Sequence, residues 1–254
     1  MKKFFLALVA FLTVTATTAA RAADGTQGQN YNWGGFYLGA DMGYGWGEGD
    51  TKFTPLPSAA VFINLLPQTL NPDPRGVLGG AHVGYNWQGQ GVVIGGEVDI
   101  SGSDMRDSVK RSPITQNNGT PFPGAGFLVA RQNTDVFGTV RPRFGISLID
   151  RLLIYGTGGL AWGHINYKAD SDFRPVGTEH YPASFSKTKV GWALGAGLEY
   201  AVVGNWSVRA EYLHIDLGDT SKTINPAIPL PPFQVRYRFE TQANIARLGV
   251  SYKF

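Results

Sequence analysis

The chain has 254 residues, no cysteine, 34 glycines and a formal net charge of +3. The absence of cysteine excludes a disulfide framework, a thiolate metal site and a cysteine nucleophile. Charged residues make up 16% of the chain and aromatic residues 13%, whereas soluble domains carry about 25% charged residues. This composition suits a β-sheet that faces lipid.

The N-terminus has the layout of a cleavable secretory signal. Lysines at positions 2 and 3 precede the apolar run 4–14, and small residues follow up to Ala22. We expect cleavage after Ala22, which gives a signal peptide over residues 1–22 and one barrel domain over residues 23–254. Because the signal contributes basic residues and no acid, the mature domain is close to neutral and no nucleic-acid partner is expected.

Beyond the signal, apolar residues recur at every second position, which is the period of a β-strand. No later segment is a continuous apolar run long enough for a membrane-spanning helix. Turn residues bound each alternating segment. Eight strands are predicted, at Phe36–Trp46, Val77–Trp87, Val92–Ile100, Val136–Ile146, Leu152–Trp162, Val190–Tyr200, Trp206–Tyr212 and Arg247–Phe254. The orientation of the fifth strand stays open, since both of its faces are apolar or small.

The links between the predicted strands alternate in length. Three are short, at Gln88–Gly91, Ser147–Arg151 and Ala201–Asn205, and four are long, at Glu48–Arg75, Ser103–Asn133, Ile165–Lys187 and Gly218–Gln234. Bacterial outer-membrane barrels have short periplasmic turns and longer outside loops. Because lipid offers no partner for an open sheet edge, the first and last strands must pair. The sequence therefore predicts an all-β fold, a closed antiparallel eight-stranded transmembrane β-barrel.

A soluble β-sandwich or lipocalin-like barrel would also produce strands of period two. Its polar face would meet water, but here that face is rich in glycine and holds few solubilising side chains. Turned inward, the same face lets opposite charges meet in the lumen, where a buried charge must be paired. The predicted lumen charge network consists of Asp41, Glu97, Asp99, Arg141, Arg143, Glu199, Arg209, Glu211 and Arg247.

Several segments together resemble a known family. They include NWGGFYLGADMGYGWG at the first strand, GGAHVGYNWQ at the second, VGWALGAGLEYAVVGNWSVRAEYLHIDLG across the sixth and seventh, and ARLGVSYKF at the end. The family is that of the porin-like outer-membrane immunogenic proteins of alphaproteobacteria, which share the barrel of the outer-membrane protein A transmembrane domain. The resemblance implies an outer-membrane location and contact with outer-membrane lipids and lipopolysaccharide. It also implies an assembly signal for the barrel-assembly machinery, formed by Val250, Tyr252 and Phe254.

A structural and surface role in the cell envelope is the first functional hypothesis, because eight strands enclose a space that side chains can fill. The porin label of the family suggests an alternative, a narrow pore for small solutes in which the lumen charges set a transverse field. A third hypothesis is ligand binding by the outside loops, including haem, with His180 and Tyr181 as candidate ligands. Whether the protein forms a homo-oligomer is left open.

Enzymatic activity is not expected from the sequence. His214 and Asp216 form the nearest approach to part of a catalytic triad, but no GxSxG motif or metal-binding pair accompanies them. The glycine groups GTGG and GAG lie in predicted strands without a following helix, so they are not phosphate-binding loops. No cofactor or metal is expected.

Overall fold

The computed structural model describes residues 31–57, 67–116, 118–121, 126–172, 180–226 and 234–254. The predicted signal peptide lies outside the described residues, so its cleavage stays a prediction. No helix in the described part of the chain is long and apolar enough to cross a bilayer.

The described chain is built from ten antiparallel strands. Their bounds are β1 Gly35–Glu48, β2 Thr51–Pro55, β3 Gln68–Leu70, β4 Arg75–Gly89, β5 Val92–Arg111, β6 Phe127–Ile149, β7 Leu152–Asp172, β8 Ala183–Val203, β9 Trp206–Ile224 and β10 Val235–Lys253. β1 pairs with β4 on one side, and on the other it pairs with β10 from Tyr37 opposite Lys253 to Glu48 opposite Gln242. This second pairing closes a ring of eight strands and confirms the predicted closed barrel.

Two short strands, β2 and β3, lie within the predicted long link Glu48–Arg75. β2 pairs with β10 beyond the end of β1, with Thr51 opposite Phe239 and Pro55 opposite Val235. β3 then pairs with β2. β1 and β2 together therefore follow one path along β10, with a break at residues 49 and 50.

The strands are longer than the sequence analysis predicted, and the predicted long links are correspondingly too long. β6 contains 23 residues and β10 contains 19, although about 9–11 tilted residues suffice to cross a bilayer. Large parts of Ser103–Asn133 and Ile165–Lys187 therefore belong to strands. We call the side of the barrel with these extensions the loop end and the side with the three short turns the turn end.

The polarity of the two strand faces reverses along each long strand, and β10 shows it most clearly. Near the turn end its inward side chains are Arg247 and Ser251, whereas its outward ones are apolar, with Leu248 64% exposed. Toward the loop end the inward side chains become apolar, including Tyr237 and Phe239, while Arg238 is exposed on the outside. An apolar outer face is stable where the strand is surrounded by lipid, and an apolar inner face is stable where the strand is surrounded by water. One strand therefore passes through two solvents.

At the loop end the barrel wall separates into two sheets. β8 and β9 stay paired up to Trp192 opposite Asp216, and β4 and β5 up to Arg75 opposite Arg106. Beyond these pairs, the described residues form a front sheet from the ends of β5, β6, β7 and β8 and a back sheet from the ends of β9 and β10 with β2 and β3.

An apolar core packs the front sheet against the back sheet. The rings of Tyr167 and Phe239 lie 4.8 Å apart across this core, and the hydroxyls of Ser171 and Tyr237 are within hydrogen-bond distance at 2.7 Å. Phe53 of β2 and Leu128 of β6 are fully buried in the same cluster. The extensions therefore form a packed β-sandwich on top of the membrane barrel.

The register also decides the orientation of β7, the fifth predicted strand. Leu153, Tyr155 and Ala161 are buried inside the barrel, while Leu160 is 64% exposed on the outer wall. Its pattern was ambiguous because lipid outside and packed side chains inside both accept apolar residues.

Candidate functional site

The interior of the membrane barrel is occupied by charged side chains from six strands. Period-two alternation turns them inward, and the glycines between them leave room for their length. A Cβ atom at Gly249 would overlap Asp41, and one at Gly84 would overlap the phenol of Tyr37. The inward glycines thus allow long polar side chains to fill a narrow lumen.

Arg141 of β6 binds three acids at the centre of this lumen. Its guanidinium lies 2.9 Å from carboxylate oxygens of both Glu97 and Asp99 of β5, and 3.3 Å from Glu211 of β9. Its Nε also donates to the hydroxyl of Thr139, which contacts Asp99 in turn. Arg141 therefore connects two opposite walls of the barrel.

Arg209 and Arg247 extend the network across β9, β10 and β1. Arg209 donates to both carboxylate oxygens of Asp41 at 2.8 Å and to Glu97 at 2.6 Å. Arg247 donates through Nε to Glu211 at 2.7 Å and approaches Asp99 at 3.3 Å. Charge-assisted, two-point contacts of this kind are the strong ones.

Arg143 forms the part of the network nearest the turn end. It lies 2.7 Å from Glu199 of β8 and donates to the hydroxyl of Tyr37 at 2.9 Å. Its guanidinium stacks over the ring of Tyr155 at 3.9 Å from the centroid. Because Arg143 also lies 3.7 Å from Glu97, this group is continuous with the centre.

The structure thus brings all nine residues of the predicted lumen set into one connected cluster. Their side chains are almost completely buried, and the most exposed of them, Glu199, is 6% accessible. Buried charges without partners cost several kcal/mol each, and here every charge has at least one opposite charge within 4 Å. The arrangement can hold the strands in register, and it leaves little room for water.

Sequence reasoning missed His82, Tyr37 and Tyr155 as members of this cluster. His82 lies between Asp41, at 2.8 Å, and the hydroxyl of Ser251, at 2.9 Å. The network has five carboxylates and four guanidiniums, and the imidazole of His82 adds a further hydrogen-bonding group beside Asp41. The available signal was the inward register of His82 in the second predicted strand.

A second layer closes the turn end of the lumen. Trp33 is 3% exposed and packs with Tyr31 across the barrel mouth, their ring centroids 4.7 Å apart. Leu153 and Val93 are buried in the same cluster. The backbone N–H of Tyr31 donates to the carbonyl of Asp150 in the turn between β6 and β7. The segment before β1 therefore crosses the opening as a seal.

The candidate haem ligands at the loop end do not form a pair. His180 faces Asp170, with Nε2 and Oδ1 2.8 Å apart. Tyr181 is fully buried in the sandwich core, and its carbonyl accepts a hydrogen bond from Tyr237. Neighbouring residues of an extended chain point in opposite directions, so the two side chains have different surroundings.

The histidine and aspartate considered for catalysis are also separated in their contacts. His214 Nδ1 lies 2.9 Å from the side-chain oxygen of Asn244. Asp216 accepts hydrogen bonds from the backbone of Gly218 and from Gln242. The alternation of the strand places them one above the other on the outer wall.

Of the three residues of the proposed assembly signal, Val250 and Tyr252 lie on the outer wall of β10, and Phe254 follows its last residue. Val250 and Phe254 are exposed at 46% and 65%. Tyr252 packs its ring 5.0 Å from Trp206 and 5.2 Å from Phe254. The rings of Trp206, Tyr252 and Phe254 form part of an aromatic girdle at the turn end, where such rings sit at a membrane interface. Their role in assembly stays a prediction.

A closed ring of strands with an apolar outer belt, aromatic edges and a charged, buried interior defines a transmembrane β-barrel of the outer-membrane type. The family model described as outer membrane protein beta-barrel domain matches residues 6–254. The chain therefore belongs to the outer-membrane β-barrel family, and it is an outer-membrane protein.

Named relatives agree with this assignment and with the predicted family resemblance. The chain is 32% identical to the 31 kDa outer-membrane immunogenic protein of Brucella melitensis over 266 residues, covering all of both chains. It is 28% identical to the 22 kDa outer membrane protein of Rhizobium leguminosarum, covering 88% of this chain and 79% of that protein. The crystal structure of OprG from Pseudomonas aeruginosa has a similar fold, with 11% identity, a TM-score of 0.50 and coverage of 87% and 97%.

Proposed function

We propose that the protein is a non-conducting structural barrel that supports the envelope and holds a rigid β-sandwich at the cell surface. The observation that carries this proposal is the filled interior. The aromatic seal around Trp33, the ionic network around Arg141 and the apolar core around Phe239 follow one another along the barrel axis. A solute on this axis would have to displace buried, paired side chains in all three layers.

The orientation follows from the family and from the link lengths. Short turns of outer-membrane barrels face the periplasm and long connections face outward. The sandwich then stands outside the cell, where its polar outer faces meet water. A packed core presents loops at fixed positions, which suits a surface protein better than long unstructured loops would.

The alternatives have weaker support. A narrow pore requires a continuous water path, whereas Arg141 and Arg143 are each 1% exposed. Haem binding by the loop pair loses one of its two candidate ligands, since Tyr181 is buried. We also propose that the protein has no catalytic activity, because His214 and Asp216 each bond to other groups.

Conductance in a planar lipid bilayer tests the non-conducting state. We expect no channels from refolded protein whose insertion is verified by heat-modifiable migration on SDS gels. Reproducible openings whose size changes when Glu199 is replaced by Gln would replace this proposal with the pore. The variant Asp219→Asn is the matched control. Because Asp219 lies outside the lumen, its replacement should leave the conductance of any pore unchanged.

We further propose that the C-terminal residues Val250, Tyr252 and Phe254 guide the barrel-assembly machinery. Deletion of Phe254 should reduce insertion in cells while the purified variant still refolds in detergent. Equal insertion of the wild type and the deletion variant in cells would contradict the proposed assembly signal. A failure to refold would instead assign these rings a packing role in the girdle.

A further inference from the structure

The outer face of the front sheet carries a regular array of polar side chains, which we call the front face. One row, level across four strands, consists of Ser108, Arg131, Lys168 and Ser184. The row nearer the membrane consists of Arg106, Asn133, Asn166 and Ser186. Lys110 lies above, beside the half-buried Val129, and its ammonium stands 4.6 Å over the ring of Phe127. The face therefore combines cations, amides, hydroxyls and an aromatic ring.

Two cations of this face oppose each other directly. Arg131 and Lys168 are cross-strand partners on the same side of β6 and β7, and like charges in that position destabilise a sheet. In the described part of the chain neither has an ion-pair partner. Two acids of this face contact other groups: Asp170 lies 2.8 Å from His180, and Asp135 accepts a hydrogen bond from the amide of Asn166. The repulsion between Arg131 and Lys168 destabilises the fold, and a bound external anion would remove this repulsion.

The back sheet provides the contrast. Arg238 of β10 also has a basic cross-strand neighbour, Lys52 of β2. There, however, Asp219 lies 2.6 Å from the guanidinium and Glu240 lies 3.9 Å from it. The protein thus neutralises an exposed basic pair on one sheet and leaves the other open. Among the described residues, Arg131 and Lys168 of the front face have no carboxylate within 4 Å.

The height of the front face limits which anion can reach it. Trp162 ends the apolar belt on β7, and Lys168 lies six residues farther toward the loop end. At about 3.3 Å per residue and a tilt near 40°, this places the row roughly 15 Å above the interfacial girdle. Lipid phosphates at the glycerol level lie below it. Saccharide attached to lipids of the outer leaflet extends through this level.

We infer that the front face binds the phosphorylated core saccharide of a glycolipid in the same membrane. Arg131 and Lys168 would bind a phosphate group between them, and Ser108 and Ser184 would donate to its remaining oxygens or to sugar hydroxyls. The amide of Asn133 suits a further sugar hydroxyl, whereas the amide of Asn166 already donates to Asp135. Because protein and glycolipid share one membrane, their effective concentration is high and modest affinity suffices. The inference rests on the proposed outward orientation of the sandwich.

Binding of deacylated, phosphorylated lipopolysaccharide core oligosaccharide to the full-length protein in detergent tests the site. Arg131→Gln with Lys168→Gln should weaken binding by about tenfold or more, and dephosphorylated oligosaccharide should bind wild type equally weakly. Arg236→Gln with Arg238→Gln removes the same charge from the back sheet and should leave affinity unchanged. Both double variants must keep the heat-modifiable migration of wild type.

Three outcomes would overturn the inference. Equal binding by wild type and the front-face variant would remove the site, and equal binding of the dephosphorylated probe would remove phosphate as its ligand. Tighter binding of a soluble sulfated glycan than of the core oligosaccharide would assign the face to an external polysaccharide instead. Failure of the proposed function is detected separately, by conductance and by protease accessibility of the sandwich on intact cells.

Discussion

Arg209 holds Asp41 by two parallel hydrogen bonds of 2.8 Å each across β10, although the two residues are 168 positions apart in the chain. β10 lies between their strands, so this contact spans a strand that pairs with both of them. The bidentate geometry fixes the rotation of β9 relative to β1. The seam that closes the barrel is thus held by side chains as well as by the β1–β10 ladder.

Arg209→Met should destabilise the barrel by about 3–5 kcal/mol, because Asp41 and Glu97 would remain buried with less compensation. The measurement is denaturant unfolding in detergent, read by heat-modifiable migration. Arg238→Gln removes an exposed ion pair and should change stability by about 0–1 kcal/mol.

A double variant separates pairing from packing at the same place. Asp41→Asn with Arg209→Met should be less destabilised than the sum of the two single variants, since neither charge is left facing an absent partner. Recovery should be partial, because Arg209 also binds Glu97. Strict additivity would mean that the two side chains are not coupled, contrary to the geometry.

The reversal of polarity along β10 predicts a position-dependent effect of one substitution. Leu248→Arg places a charge in the apolar belt and should cost about 2–4 kcal/mol of folding free energy in vesicles. Gln242→Arg is outward on the same strand but beyond the belt, beside Asp216, and should cost about 0–1 kcal/mol. Similar costs at both positions would mean that the belt does not end between them.

The sandwich core should unfold independently of the membrane barrel. Phe239→Ala removes a buried ring that packs against Tyr167, which costs about 3–5 kcal/mol in well-packed cores. Hydrogen exchange should rise at residues 235–239 and stay slow at residues 247–253, where the ladders to β1 and β9 persist. Arg238→Ala, outward on the same strand, is the control. Loss of protection along all of β10 would show instead that both parts unfold together.

The turn between β4 and β5 should respond to substitution through the backbone alone. Gln90 and Gly91 have φ angles of 51° and 81°, the left-handed pair that a two-residue hairpin requires. Gly91→Ala should destabilise by about 1 kcal/mol, although the added methyl would touch nothing. Gln90→Asn should be neutral or stabilising, because Asn tolerates this region. The unfolding midpoint should therefore fall for Gly91→Ala and stay the same or rise for Gln90→Asn.

The pattern of the chain was sufficient to predict eight strands, their alternation and the charged inner face. Period two places Arg141 on the strand face opposite to that of Val140 and Phe144. Once the face with Val140 and Phe144 is assigned to lipid, Arg141 must point inward. Closure follows from the solvent, since a bilayer satisfies no open edge. These conclusions depend on local alternation and on the properties of lipid, both of which are present in the sequence.

Tertiary structure decided the features that depend on strand register and on the change from lipid to water along a strand. The belt pattern, apolar on the outside, predicts links where β5 and β6 extend, because the apolar side chains of these extensions, such as Leu128, face inward. Bulges also shift the alternation, as in β6 between Thr134 and Val136. A single rule that places apolar residues on the outside therefore fails for strands that cross from lipid into water.

The partners within the lumen were likewise beyond the sequence. Glu199 lies directly opposite Arg209, but whether Arg209 also reaches Asp41 depends on the stagger of β9 relative to β1, which is distant in the chain, and alternation alone does not fix that stagger. His82 became part of the network because the register places it level with Asp41 and Ser251. The sequence determined which residues face the lumen, and only the closed ring determined which of them touch, because contacts across a barrel are set by the shear of its strands.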